Sequence, residues 1–182
     1  MISFRVENSV GGSSLAGSEH IEILRRGPKA WNAWREENPS LGPNLDDAAP
    51  TLGERQLGPI NGGPINLRSA RIQRAFLRFA TLSAANLEAA DMSAADLAYA
   101  RLDRANLKAA NLSYAVLDYA DFNGADLAEA NFSGASLRHV QNLTQAQIKH
   151  SICDAATILP EHLERPASYL EIVRETQAEA GE

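Results

Sequence analysis

From Ala70 to Ala135 an alanine stands at every fifth position, fourteen times in succession without a miss. Two residues after each alanine comes a large apolar side chain, leucine in most cases and Ile72, Met92, Phe122 or Phe132 in the others. An α-helix cannot use this pattern, because five residues advance a helix by about 140° beyond a full turn and the leucines would point in every direction. A continuous strand fails as well, since five is odd and successive leucines would alternate between the two faces of a sheet. The pattern fits short extended pieces, in which an alanine and a leucine two apart share a face, each followed by a corner that turns the next pair back inward. Four corners close a square coil of twenty residues. Stacked coils then pair in parallel at the ordinary interstrand spacing of about 4.8 Å.

The fifteen pentapeptides of residues 65–139 make 3.75 such coils, a rod roughly 18 Å long at that spacing. Alanine is required inward near the corners, where opposed walls leave little room, and leucine fills the axis. Aspartate or asparagine recurs between them, as in Asn86, Asp91, Asp96, Asn106 and Asn111. In these features the chain resembles the pentapeptide-repeat proteins, whose consensus is alanine, aspartate or asparagine, leucine and two variable residues. The resemblance implies an all-β solenoid core, a right-handed quadrilateral parallel β-helix of about four coils. The flanking sequences at 20–39, with the Trp-Asn-x-Trp-Arg segment Trp31–Arg35, and at 142–166 resemble extensions of some bacterial members. An open solenoid exposes unpaired backbone groups and an apolar cross-section at each end, so short α-helical caps are expected at both ends.

The flanks fit that need. Ser18 is expected to cap a short helix carrying Ile21 and Leu24, which Gly27 ends. Pro28 then starts a second helix with Trp31 and Trp34 on one face, closed by Pro39. The two tryptophans are expected in the core, the alternative being a pair that grips a ligand. After the repeat, Thr144 is expected to cap a helix with Ala146 and Ile148, and Pro166 to open a last helix with Tyr169, Leu170, Ile172 and Val173. The expected organisation is a flexible N-terminus over 1–17, a helical segment over 18–39, a Pro/Gly-rich linker or irregular first coil over 40–64, the β-helix over 65–139, and a helical C-terminal cap and tail over 140–182. In the linker Leu52 and Leu57 keep the five-residue phase and Gly62 breaks it.

Residues twenty apart should stack, so the sequence also predicts surface columns. One contains Phe79, Tyr99, Tyr119 and His139. Phe76, Ala98 and Val116 lie beside it on the same wall. Phe76, Phe79, Tyr99, Val116, Tyr119 and His139 therefore form the candidate protein-binding surface, to be covered by a terminal helix, by another protein or second copy, or by water alone. Other columns bring unlike charges together, with Glu88 between Arg68 and Lys108, Arg71 over Asp91, and Arg101 over Asp121. Asn66, Asn86 and Asn106 are expected to form an amide ladder.

The 182 residues suit one domain, and only 6% are aromatic, which favours the narrow, small-residue interior. The formal charge of −6 speaks against direct binding to nucleic acid or an anionic membrane. One cysteine, Cys153, leaves no intrachain disulfide, and a cytoplasmic protein with neither signal sequence nor membrane span is expected. His20, His139, His150 and His162 are dispersed, and Gly62 and Gly63 sit in a proline-rich stretch rather than in a phosphate loop. No enzyme, cofactor or metal is therefore expected, and the function read from the sequence is a non-enzymatic binding or scaffold protein, with a homodimer as one form. The resemblance carries an alternative, since some members mimic duplex DNA, bind DNA gyrase or topoisomerase IV and modulate quinolone sensitivity. DNA presents about one charge per 1.7 Å, hence on the order of ten over 18 Å. Residues 65–139 hold eight acidic and eight basic residues, a net charge of zero.

Overall fold

A computed structural model describes residues 15–45 and 64–166. Within 65–141 the chain winds with a register of twenty: Asn66 bridges Asn86 in parallel, Asn86 bridges Asn106, and Asn106 bridges Asp126. Three further columns start at Arg71, Phe76 and Thr81, and the four walls are named here after these first residues. Each contact is a single bridge rather than a continuous strand, fixed by bonds such as Leu67 N–H to the Asn86 carbonyl at 2.7 Å and Asn86 N–H to the Ile65 carbonyl at 2.9 Å. Every alanine of the five-residue series and every large apolar residue that follows it is buried. The inward faces meet along the axis, with Phe122 and Phe132 edge to face at 6.4 Å.

The corners explain the other three positions of the repeat. Ala70 N–H bonds back to the Leu67 carbonyl at 3.0 Å, closing a β-turn, and its third residue, Ser69, has φ of 55°. That left-handed position recurs at every corner from Ser69 to His139, and apart from Gly124 and Gly134 it is filled by side chains with φ between 54° and 63°. Turns of this kind favour glycine there, and an L-residue costs about 1–2 kcal/mol. The aspartates and asparagines lie ahead of the corner and support it. At nine corners their Oδ1 accepts the N–H two residues on, as Asp91 does from Ser93 at 3.1 Å and Asn106 from Lys108 at 3.1 Å. Asn66, Asn86 and Asn106 thus stack through their backbones while their Oδ1 atoms serve their own corners. Side-chain amide bonds between coils run instead along the Arg71 wall, from Asn111 to Asp91 at 3.1 Å and from Asn131 to Asn111 at 3.5 Å.

Ahead of the rod stand α1 (Leu15–Arg25) and α2 (Pro28–Glu37). Ser18 lies inside α1 rather than at its cap, because the helix begins three residues earlier. Gly27, with φ of 93°, makes the break, and Pro28 opens α2 as expected. Three side chains of α2 bond to the first coil. Trp31 Nε1–H donates to the Asn66 carbonyl at 2.6 Å, Asn32 donates to the Pro64 carbonyl at 3.0 Å and accepts from Asn66 N–H at 2.9 Å, and Arg35 donates to the Arg68 carbonyl at 3.1 Å. Trp34, partly buried against the core, lies 5.2 Å from the Trp31 ring. These groups occupy the backbone positions that a preceding coil would use. On the next wall Asn44 bridges Arg71, and Gly42 passes so close that a Cβ there would meet the Ser69 carbonyl at 2.9 Å. Leu52, Leu57 and Gly62 lie outside the described residues.

Past the repeat, Thr144 caps α3 (Gln145–Ile148) with a reciprocal bond to Gln147, and Ile148 is buried as expected. Gln147 Nε2 also donates to the carbonyls of Phe122 at 2.8 Å and Ala125 at 3.0 Å. The helical reading of 140–182 is corrected beyond α3. Ile152 bridges Asn131 and Ile158 bridges Ser136, so residues 150–158 run as a further partial coil with registers of 21 and 22. Ser151 and Thr157 take alanine positions and Cys153 a leucine position, all buried, and Leu159 packs against the core. The helix expected from Pro166 lies outside the described residues.

Candidate functional site: an aromatic wall

Within the repeat, the Phe76 wall differs from the others in carrying apolar residues at the position before a core leucine. Phe76 and Val116 replace two of the asparagines or aspartates there, and Ile158 continues the column. Nothing polar is then left at those points to serve the corner. The left-handed position that follows carries Phe79, Tyr99, Tyr119 and His139, and one coil spacing places their rings face to face. The centroids are 5.1 Å apart for Phe79 and Tyr99, 4.8 Å for Tyr99 and Tyr119, and 4.9 Å for Tyr119 and His139, with interplanar angles of 22°, 4° and 25°. Such pairs contribute about 0.5–1.5 kcal/mol beyond burial, on the order of the strain at each corner.

The structure brings all six candidate residues to one side and leaves them exposed, Phe76 at 57% and Phe79 at 63% of their surface. Ala98, expected on the same surface, is 1% exposed and lies beneath its neighbours. Tyr114 has no aromatic neighbour in its own column, which otherwise holds Arg74, Ala94 and Gly134, and so carried no sign of itself in the sequence. It is the most exposed aromatic of the described residues, at 69%, and stands on the corner where the Arg71 wall turns into the Phe76 wall. Its ring lies over Gly134, where a Cβ would come within 2.6 Å of Cδ1. Among the described residues, seven of the nine large exposed apolar side chains thus lie on or beside this wall, Leu41 and Ile152 being the others.

Polar groups on the wall are engaged with one another. Arg78 pairs with Asp96 at 3.1 Å and sits over the Tyr99 ring, 5.9 Å from its centroid. Asp118 accepts from Ser136 Oγ at 2.5 Å and from Arg138 N–H at 3.2 Å. Elsewhere Arg68 meets Glu88 at 3.3 Å as the columns suggest, whereas Lys108 turns to Glu129 at 3.6 Å and Arg101 to Asp103 at 3.6 Å. Arg104 also reaches Asp103, at 3.3 Å. Burial works to raise the Asp103 pKa, but the Ser83 hydroxyl and the two guanidiniums outweigh it and hold the carboxyl below its ordinary value. Over residues 65–139 the Phe76 and Thr81 walls each carry two acidic and two basic residues, the Asn66 wall three and two, and the Arg71 wall one and two.

The histidines do not converge. His20 lies against Trp34 with ring centroids 4.9 Å apart and tilted by 59°, it accepts from Asn44 N–H, and burial lowers its pKa. His139 ends the ring stack, His150 gives its carbonyl to Glu129 N–H, and His162 lies against the Leu143 carbonyl. Burial raises the Cys153 thiol. Among the described residues no three His, Cys, Asp or Glu side chains are placed to hold a metal ion, and no helix is long and apolar enough to cross a membrane.

The family model for pentapeptide repeats matches in eight copies, at residues 65–98, 90–127, 105–141 and 115–152. Through this region the chain belongs to the pentapeptide-repeat proteins, whose fold is the right-handed quadrilateral β-helix. Similar solved structures include a pentapeptide repeat protein from the cyanobacterium Cyanothece, at 30% identity over 52% of this chain and 64% of that one, with a TM-score of 0.45. HetL, a pentapeptide repeat protein involved in heterocyst differentiation regulation in the cyanobacterium Nostoc, is 29% identical over 52% of this chain and 51% of its own, with a TM-score of 0.28. QnrB1, a plasmid-mediated fluoroquinolone resistance protein, is 14% identical over 63% of this chain and 81% of its own, with a TM-score of 0.34. The chain spans less than two thirds of the length of the first two. No curated protein matches it.

Proposed function

We propose that this chain is a non-enzymatic, cytoplasmic scaffold that binds protein through the Phe76 wall. The observation that carries the reading is the exposed run of four stacked rings, Phe79 to His139, bordered by Phe76, Tyr114, Val116 and Ile158. Contiguous apolar surface of this kind marks interaction sites, and rigid aromatic rings lose little entropy on contact. The flanking segments serve the rod itself: Trp31, Asn32 and Arg35 close one end and Gln147 with residues 150–158 the other, as an open solenoid requires. DNA mimicry is the weaker reading, because no wall of the repeat carries a net charge beyond one unit of either sign.

The test replaces Tyr99 and Tyr119 by serine and compares proteins co-purified from the native host with those of the parent. Loss of a specific partner with the fold intact supports the reading. Unchanged partners would place binding elsewhere on the rod. Inhibition or protection of gyrase supercoiling in a concentration series would reinstate the DNA-mimic reading.

A further inference from the structure

We propose that the Phe76 wall receives a second copy of this chain, packed antiparallel about a two-fold axis at the level of Tyr99; this rests on reading the wall as a protein-binding surface. Two copies facing each other through one wall have two symmetric choices. With the rods parallel, each column meets the column on the opposite side of the wall. Arg78 would then face Phe76, and Asp118 would face Val116, burying charges against apolar groups. With the rods antiparallel, each column meets itself in reversed coil order.

Charge selects the level of the axis. The column behind each corner reads Arg78, Ala98, Asp118, Arg138. An axis between Tyr99 and Tyr119 opposes Arg78 to Arg138, and an axis at Tyr119 opposes Asp118 to itself. An axis at Tyr99 opposes Arg78 to Asp118 of the second copy twice, with the small, buried Ala98 at the centre. Phe76 then meets Val116, Phe79 meets Tyr119, and Arg74 meets the exposed Tyr114 ring. Asp96 meets its own copy at the axis, each already paired with the Arg78 of its own chain.

The long-range field favours the same arrangement. Residues 65–104 hold six basic and four acidic residues, and 105–139 hold two basic and four acidic, so the rod is +2 in its first half and −2 in its second. Antiparallel packing sets each half beside its opposite, whereas parallel packing sets like beside like. A single wall of this size falls below the roughly 1,200 Å² at which standard interfaces begin, so the dimer belongs to the weak, concentration-dependent class.

Sedimentation equilibrium of the full chain, from low micromolar to near-millimolar protein, tests this. The parent is expected to dimerise, less so as salt is raised. Arg78→Asp and Asp118→Arg should each weaken the dimer by about tenfold or more, and an equimolar mixture of the two should recover it, because each places its altered charge opposite the other's. Should Asp118→Arg fail to fold through loss of its bonds to Ser136 and Arg138, Phe76→Lys and Val116→Asp form the same complementary pair. A parent that stays monomeric throughout, a dimer indifferent to both variants, or a mixture no better than its parts would overturn the proposal. If the parent is monomeric while Tyr99→Ser still abolishes capture of a host protein, the wall binds a different partner and only the dimer falls. If neither is seen, both readings fall.

Discussion

The rings of Tyr99 and Tyr119 lie 4.8 Å apart and 4° from parallel, although both residues sit at backbone positions with positive φ, 61° and 63°. At the corners of a coil, side chains twenty residues apart project outward together. The stack offsets the strain there, and the surplus of apolar surface is what remains available to a partner.

The corner geometry predicts opposite outcomes for adjacent alanines. Ala109 is exposed at φ of 55°, and Ala110 is fully buried beside it. Ala109→Gly should be neutral or stabilising by up to about 1 kcal/mol, since glycine takes the left-handed region freely. Ala110→Gly should destabilise by about 1 kcal/mol through lost packing and added chain entropy. Urea unfolding of the two variants decides, and equal effects would contradict the assigned corner.

Asn32 holds both the Asn66 N–H and the Pro64 carbonyl. Asn32→Ala leaves the Asn66 amide without that acceptor and should cost about 1–3 kcal/mol in the docking of α2. Hydrogen exchange should quicken at Asn66 while amides in the middle of the rod, such as Met92, keep their protection.

His20 links α1 to the Asn44 bridge as a neutral acceptor. Its pKa is lowered in the folded chain, so its contribution is fully present above the unfolded value of about 6.5 and is lost as pH falls through the folded value. Trp34, in tilted contact with the imidazole, reports the change. Tryptophan fluorescence should show a transition below pH ~6.5 that His20→Ala removes.

Asp154 secures the terminal partial coil. Its carboxylate accepts from Gly134 N–H at 2.9 Å, Ala156 N–H at 3.0 Å, and both the N–H and hydroxyl of Thr157. Burial opposes ionisation, but these donors prevail and hold the pKa below its ordinary value. The stabilisation is present above about pH 4 and is lost as pH falls further. Asp154→Ala should loosen residues 150–158 at neutral pH, measured as faster exchange at Ile152 and Ile158, and should flatten this acid dependence.

Local periodicity was enough to determine the coil. An alanine and a leucine at fixed spacing have only one shared inward arrangement, so the core, the twenty-residue register and the column from Phe79 to His139 were all readable along the chain. Tyr114 was not, because its exposure depends on what lies above and below it, and a column of Arg74, Ala94, Tyr114 and Gly134 has no shared chemical signature. Nor was the partial coil at 150–158, where Ser151, Cys153 and Thr157 occupy alanine and leucine positions and the register slips by one and then two residues. Which arginine meets which carboxylate was also decided only in three dimensions, since Lys108 and Arg101 are long enough to choose between partners on neighbouring columns. Backbone pairing between coils is set by repeat length and is therefore written in the sequence; the pairing of long surface side chains is set by reach and competition, which only the packed coils define.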